Sequence, residues 1–204
     1  MSAKVRSGIS ENGDQETRRE KTIRDKEEEI RDKNVESMFI YDKDGNLLYS
    51  EDGDDSNVGT QEMDESLFND AYVTHNHPDF VEDDGYTYAG GTFSKDDLNT
   101  FLGLNIYELR AVDTKTTYTL RKMAGKAQDS EGFMNAYKTA LRIARDDANS
   151  HALKIAISRG DNEWTEGYED KYARFAAQER HRIMDKWFRN NAKKYGYEYS
   201  TRSR

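Results

Sequence analysis

The charged residues of this chain are segregated, and that segregation limits where a core can form. Of 204 residues, 35% are charged and 34% hydrophobic, so a core requires the apolar residues to be concentrated in part of the chain. Residues 11–35 are dense in Glu, Lys, Arg and Asp and offer only Ile23, Ile30 and Val35 as apolar anchors. They read as an exposed helix or a partly disordered arm that contributes little core. At Glu36 the composition changes. Ser37–Asp42 and Asn46–Ser50 are apolar or β-favouring runs separated by Asp42-Lys43-Asp44-Gly45, which predicts a β-hairpin.

The same reading continues along the chain. Glu51–Thr60 is an acidic loop, Glu62–Asp70 a short amphipathic helix, and Ala71–His75 a strand. Ser94 opens a helix that runs through Leu104, and Asn105–Val112 and Thr117–Lys122 form a second hairpin. From Ser130 apolar residues recur at three- and four-residue steps, which predicts a helix towards Gly160. Glu163–Lys194 is a second helical stretch that Gly196 ends. The expected organisation is a charged helical arm over 1–35, an α/β domain of the α+β kind over 36–123, and a helical C-terminal extension over 124–204.

Charge and composition narrow the partners. Residues 171–204 hold 10 basic against 3 acidic residues, while 36–170 hold 12 against 28. A basic tail on an acidic body suits nucleic acid, an acidic partner, or the body itself. Aromatic residues interleave with the basic ones, as a nucleic-acid surface would require, but at helical spacing they also suit packing. There is no cysteine, which excludes thiolate metal sites and cysteine nucleophiles and leaves nitrogen and oxygen ligands for any metal. No apolar run approaches a membrane span, and Met1–Ser10 lacks the apolar stretch of a signal peptide. The expectation is therefore a cytoplasmic protein without membrane contact.

The chemistry concentrates in two short segments, Ala71–Pro78 (AYVTHNHP) and Gly90–Leu98 (GGTFSKDDL). Side chains alternate along a strand, so His75 and His77 point to one face and can share a metal. Asp97 lies one helical turn after an N-capping Ser94 and supplies a carboxylate to the same cation. Asp96 is the alternative ligand, though its place in the first turn also suits the helix dipole. The only proline, Pro78, follows the second histidine directly and fixes the backbone where the strand ends. His151 and His181 lie outside this pattern and read as surface or packing residues.

The pattern H-x-H-P followed by S-x-x-D, with a glutamate upstream at the start of a β-hairpin, resembles the JAB/JAMM metalloprotease family and its RadC-like relatives. The resemblance covers roughly Glu36–Lys122, under half the chain. It implies a JAMM/cytidine-deaminase-like mixed sheet with flanking helices, and Zn²⁺ held by His75, His77 and Asp97. It further implies a general acid/base glutamate, best matched by Glu36 with Glu51, Glu62 and Glu65 as competitors, and oxyanion support from Ser94. The family usually has about ten residues between the second histidine and the aspartate. Here Pro78–Asp96 intervenes, and the extra residues read either as a substrate-gripping or lid loop hinged at Gly90-Gly91 or as a surface insertion.

Three functions follow as expectations. The first is a zinc hydrolase that cleaves a peptide bond, or an isopeptide bond to a ubiquitin-like conjugate. The second is a structural protein: similar HNHP domains resemble the C-terminal portions of phage head-morphogenesis proteins, as do the closing residues Trp187–Tyr199. That resemblance implies a phage or mobile-element origin, with phage structural proteins or host conjugates as partners in the host cytoplasm or the virion. The third is a RadC-like nucleic-acid-associated protein that uses the basic C-terminal segment.

Overall fold

A computed structural model describes residues 11–53, 63–78, 80–81, 87–88 and 91–204. The protein is a mixed α+β domain. In chain order it comprises α1 (Glu11–Ile30), β1 (Ser37–Tyr41), β2 (Leu47–Asp52), a 3₁₀ turn (Glu65–Phe68), β3 (Tyr72–Asn76), β4 (Phe80–Val81) and β5 (Thr87–Tyr88). There follow α2 (Lys95–Gly103), β6 (Glu108–Val112), β7 (Thr116–Lys122), α3 (Ser130–Arg159), α4 (Tyr168–Asn191), a second 3₁₀ turn (Ala192–Tyr195) and β8 (Tyr197–Ser203).

Six strands form one sheet in the order β2-β1-β3-β6-β7-β8, and β4 pairs with β5 in a separate ribbon. Within the main sheet only β3 and β6 run parallel. A parallel pair needs a crossover connection, and the segment that carries β4, β5 and α2 supplies it. The crossover brings the N-terminus of α2 back to the carboxyl end of β3. The turn between β1 and β2 is closed by Asp42, whose Oδ1 accepts from the Asp44 and Asn46 amides at 2.9 Å.

The pleat sorts side chains to two faces. Met38, Ile40, Val73, Leu109, Ala111 and Leu120 pack with Leu98, Phe101, Phe133 and Phe188 of the three later helices. Phe39, Tyr41 and Tyr72 face the other way and pack against Ile23 and Ile30 of α1. The N-terminal helix therefore covers a sheet face, contrary to the expectation of an arm that adds little core. Its attachment is largely ionic: Arg110 reaches Glu20 and Glu27 at 2.9 and 3.2 Å, and Arg31 donates to Thr117 at 3.0 Å and to the Asp113 carbonyl.

A wholly helical C-terminal extension is likewise corrected. β8 pairs with β7 from Thr116↔Ser203 to Lys122↔Tyr197, and Tyr197 lies 4.9 Å from Phe133 between ring centroids. The strand covers an edge of β7 that would otherwise present unpaired backbone groups. Beyond this core α3 and α4 continue as a helical hairpin, sealed by Ala148, Ala152, Ala156, Tyr172 and Ala176. The basic tail is largely spent within the chain: Arg202 pairs with Glu27, Arg204 with Asp32, Arg182 with Glu179 and Arg189 with Asp185. Of its aromatics, Phe188 and Tyr197 belong to the core and Trp187 and Tyr199 pack on it.

Candidate metal centre

β3 is buried along its whole length, and its register with β6 extends one residue past its end, where the His77 amide donates to the Val112 carbonyl at 2.8 Å. Both histidines thus sit on hydrogen-bonded backbone, and Pro78 stops the ladder because it has no N–H. His75 and His77 point to the α2 face, with their Nε2 atoms 2.9 Å apart.

Asp97 arrives by a capping box. Ser94 Oγ accepts from the Asp97 amide at 3.0 Å, and Asp97 Oδ2 accepts from the Ser94 amide at 2.6 Å. Ser94 so placed orients the carboxylate, whose Oδ1 stands 3.0 Å from His75 Nε2 and whose Oδ2 stands 3.3 Å from His77 Nε2. Asp96 is exposed, and its Oδ1 accepts from the Asn99 amide group at 3.3 Å; of the two aspartates, Asp97 joins the cluster.

Glu36 precedes β1, and its Oε1 lies 4.0 Å from His75 Nε2. One ligand atom each from Glu36, His75, His77 and Asp97 falls within 4.8 Å of the others. Of the competing glutamates, Glu51 on β2 accepts from the Tyr49 hydroxyl at 2.9 Å, Glu65 begins the first 3₁₀ turn, and Glu62 lies outside the described residues. The extra loop after Pro78 contributes the β4–β5 ribbon, whereas residues 82–86 and Gly90 also lie outside the described residues.

Three contributors play roles at the site that the sequence reading did not assign to them, although it named Gly91 as a loop hinge and His181 as a surface or packing residue. Asn76, fully buried between the two histidines, points to the opposite face. Its Oδ1 accepts from the Ser37 amide at 2.7 Å and its Nδ2 donates to the Val35 carbonyl at 3.0 Å, so it fastens both neighbours of Glu36. Gly91 accepts from His77 Nδ1 at 2.9 Å through its carbonyl. That bond holds a proton on Nδ1 and turns Nε2 towards Asp97 and His75. His181 of α4 lies on Gly91: a Cβ there would fall 2.2 Å from His181 Nδ1, and φ is +77°. Only glycine satisfies both conditions. The signals available in sequence were the Asn inside His-Asn-His and the Gly-Gly pair.

The groups of the cluster act strongly on one another. Burial pushes the Asp97 carboxyl up, but the two imidazoles beside it hold it well below the usual carboxylate range. Burial pushes His77 down, and Asp97 overrides this to raise it to about 9. Burial, with help from Arg180 and His77, lowers His181 to about 4, which keeps that ring neutral. Side-chain exposure is 5% for His75 and 13% for each of the other three, so the cluster is recessed yet reachable. A tetrahedral ion with bonds of about 2.0–2.1 Å holds its donors about 3.3 Å apart. The two Nε2 atoms lie 2.9 Å apart, and Asp97 meets His75 through Oδ1 at 3.0 Å and His77 through Oδ2 at 3.3 Å, so a shared ion needs one of these oxygens to swing between the rings.

If Asn76 positions Glu36, Asn76→Ala should leave metal stoichiometry intact while lowering any metal-dependent cleavage by about tenfold or more. It should also cost about 1–3 kcal/mol through the lost buried hydrogen bonds. Metal analysis beside a rate assay separates the two effects, and loss of metal in this variant would refute the assignment. No protein-family model, curated protein or solved structure matches the chain.

Proposed function

We propose that this chain is a zinc-dependent hydrolase of JAMM type that cleaves a peptide or isopeptide bond. The supporting observation is the difference between three short spacings and one longer one. His75, His77 and Asp97 are at ligand spacing, whereas Glu36 stands 4.0 Å from the nearest imidazole nitrogen. A closed structural site would draw a fourth donor in to about 3.3 Å. The longer gap suits a carboxylate that handles the proton of a water lying between it and the ligands.

When bound, zinc supplies Lewis acidity: it lowers the pKa of a coordinated water to about 7 and polarises a carbonyl. Glu36 takes the proton of the attacking water and returns it to the leaving amine. Ser94 has its oxygen lone pair engaged by the Asp97 amide, so its hydroxyl hydrogen is left to donate to the developing oxyanion. Asn76 and Gly91 keep the base and the second imidazole in place.

The direct test is metal content. Protein purified without a histidine tag should take up one Zn²⁺ per chain, and the His75→Ala/His77→Ala double variant should take up none. Because Asp97 keeps His77 protonated up to about pH 9, uptake must displace that proton. Apparent affinity should therefore rise about tenfold per pH unit towards that value. Calorimetry in buffers of different ionisation heat reads the proton; uptake that survives the double variant would defeat the reading.

A second reading, an assembly protein of the phage-head kind, is favoured by one surface. The helical hairpin exposes Ile143, Leu153 and Ile157 on α3, and Trp164 in the turn beyond it is 87% exposed. In that case the chain would be recovered as a fixed-copy component of a particle, and loss of the metal ligands would not release it. No helix among the described residues is long and apolar enough to cross a membrane.

A further inference from the structure

The metal cluster makes no use of the middle of α3. One side of that helix is sealed by Ala148, Ala152 and Ala156, which pack with Tyr172 and Ala176 of α4. On the opposite side Ile143, Asp146, Ser150, Lys154 and Ile157 follow one another at three- and four-residue steps, which at 3.6 residues per turn make a single stripe. All five are exposed, Ile143 to 47% and Ile157 to 69%, and Leu153 beside them to 53%. A helix ordinarily turns its large aliphatic residues to the face it buries. Between 143 and 157 only Ile155 does so, while Ile143, Leu153 and Ile157 point outwards, the mark of a surface that meets another protein.

The order of the stripe says which protein. It is reciprocal about Ser150: an isoleucine lies seven residues away on either side, and a charged residue lies four away, acidic on one side and basic on the other. Two copies of α3 laid antiparallel across a two-fold axis at Ser150 set Ile143 against Ile157 and Asp146 against Lys154, and each pairing occurs twice. Contact of that kind defines an isologous interface. Parallel copies would instead oppose Asp146 to Asp146 and Lys154 to Lys154. Serine at the axis is small enough for close helix approach. Asp146 also lies 3.8 Å from Arg142 on its own helix, with the two side chains 72% and 71% exposed. So exposed a pair contributes little, and Lys154 of a second copy adds a nearer cation to the same carboxylate.

We propose that the outer side of α3, from Ile143 to Ile157, is a self-association surface on which a second copy of this chain docks antiparallel. The surface shares no residue with the metal cluster and goes beyond the hydrolase reading, so it holds whether or not the chain cleaves a bond. One helix from each copy makes an interface at the small end of the specific range, which sets dimerisation on the order of 10–100 µM.

Sedimentation velocity of the full chain from about 5 to 500 µM should therefore show a monomer–dimer equilibrium. Asp146→Lys and Lys154→Asp should each weaken it about tenfold or more at low salt, because each sets like charges together at two places. Asp146→Lys/Lys154→Asp should restore it, since the exchanged order is still reciprocal. Zinc content and thermal midpoint should stay unchanged in all three variants. A covalent readout is also open because the chain has no cysteine. Ser150→Cys places one thiol at the axis and should cross-link to its own copy on mild oxidation, whereas Gln178→Cys, exposed on α4, should not.

A chain that stays monomeric at about 500 µM overturns the proposal. Maleimide labelling of Ser150→Cys then names the other occupant: slow labelling means that a segment of the same chain covers the stripe, and fast labelling leaves it to a different protein. Association that ignores the single charge reversals, or that the double variant fails to restore, overturns it as well, by placing the contact elsewhere or in parallel.

Discussion

Glu36→Gln is expected to lower zinc-dependent cleavage by about 10²–10⁴-fold, the usual contribution of a positioned general acid/base, while the protein still binds one zinc. The substitution keeps the shape and a hydrogen-bonding end but cannot accept a proton. Glu36 is held from both sides, by Asn76 through the Ser37 amide and by its own carbonyl, which accepts from the Gly53 amide at 2.8 Å, so the backbone should not shift. A peptide-library digest read by mass spectrometry, run beside metal analysis, measures both quantities. If Glu36 were instead a fourth ligand, the variant would bind zinc more weakly. A rate within a few-fold of the original with metal retained would assign the proton transfer to another group.

The second large effect concerns stability. Arg110 is only 5% exposed and joins Glu108, through its Nε at 2.6 Å, to Glu27 and Glu20 of α1. Arg110→Ala removes the one cation that reaches all three acids and leaves Glu27 and Glu108 buried. Breaking one side of a buried ion pair costs about 3–5 kcal/mol, and urea unfolding at pH 7 should show a loss of that order.

The pH dependence carries a definite sign. Burial already raises Glu108, with Arg110 opposing the rise, and without Arg110 its folded-state value climbs further. A carboxyl raised by folding favours the folded state when protonated and loses that contribution as pH rises through the folded value. The deficit of Arg110→Ala should therefore narrow between pH 7 and pH 5. A loss below about 1 kcal/mol, or one that does not change with pH, would show that α1 is held mainly by Ile23 and Ile30.

That network also explains what could be read in advance. A helix with two well-buried aliphatic residues, Ile23 and Ile30, looks like a solvated arm, because periodicity registers apolar faces and not charges that find partners 82 to 175 residues away. The candidate site was more legible because its parts are local rules. Two histidines one residue apart share a strand face, and Ser-x-x-Asp is a capping box that folds its own carboxylate inwards. Glu36 was ranked among several glutamates by its place at the start of a hairpin, and only the pairing of β1 with β3 brings it beside His75.

The chain alone determined the alternation that aligns His75 with His77, the cap that aims Asp97, and the absence of any thiolate ligand. All of these depend on torsions or identities within a few residues. Tertiary structure decided that Asn76 steadies Glu36, that Gly91 admits the His181 ring, and that α1 and β8 complete the layers. Such contacts join segments far apart in sequence, and short-range propensities carry no information about which distant charge or cavity will be the neighbour.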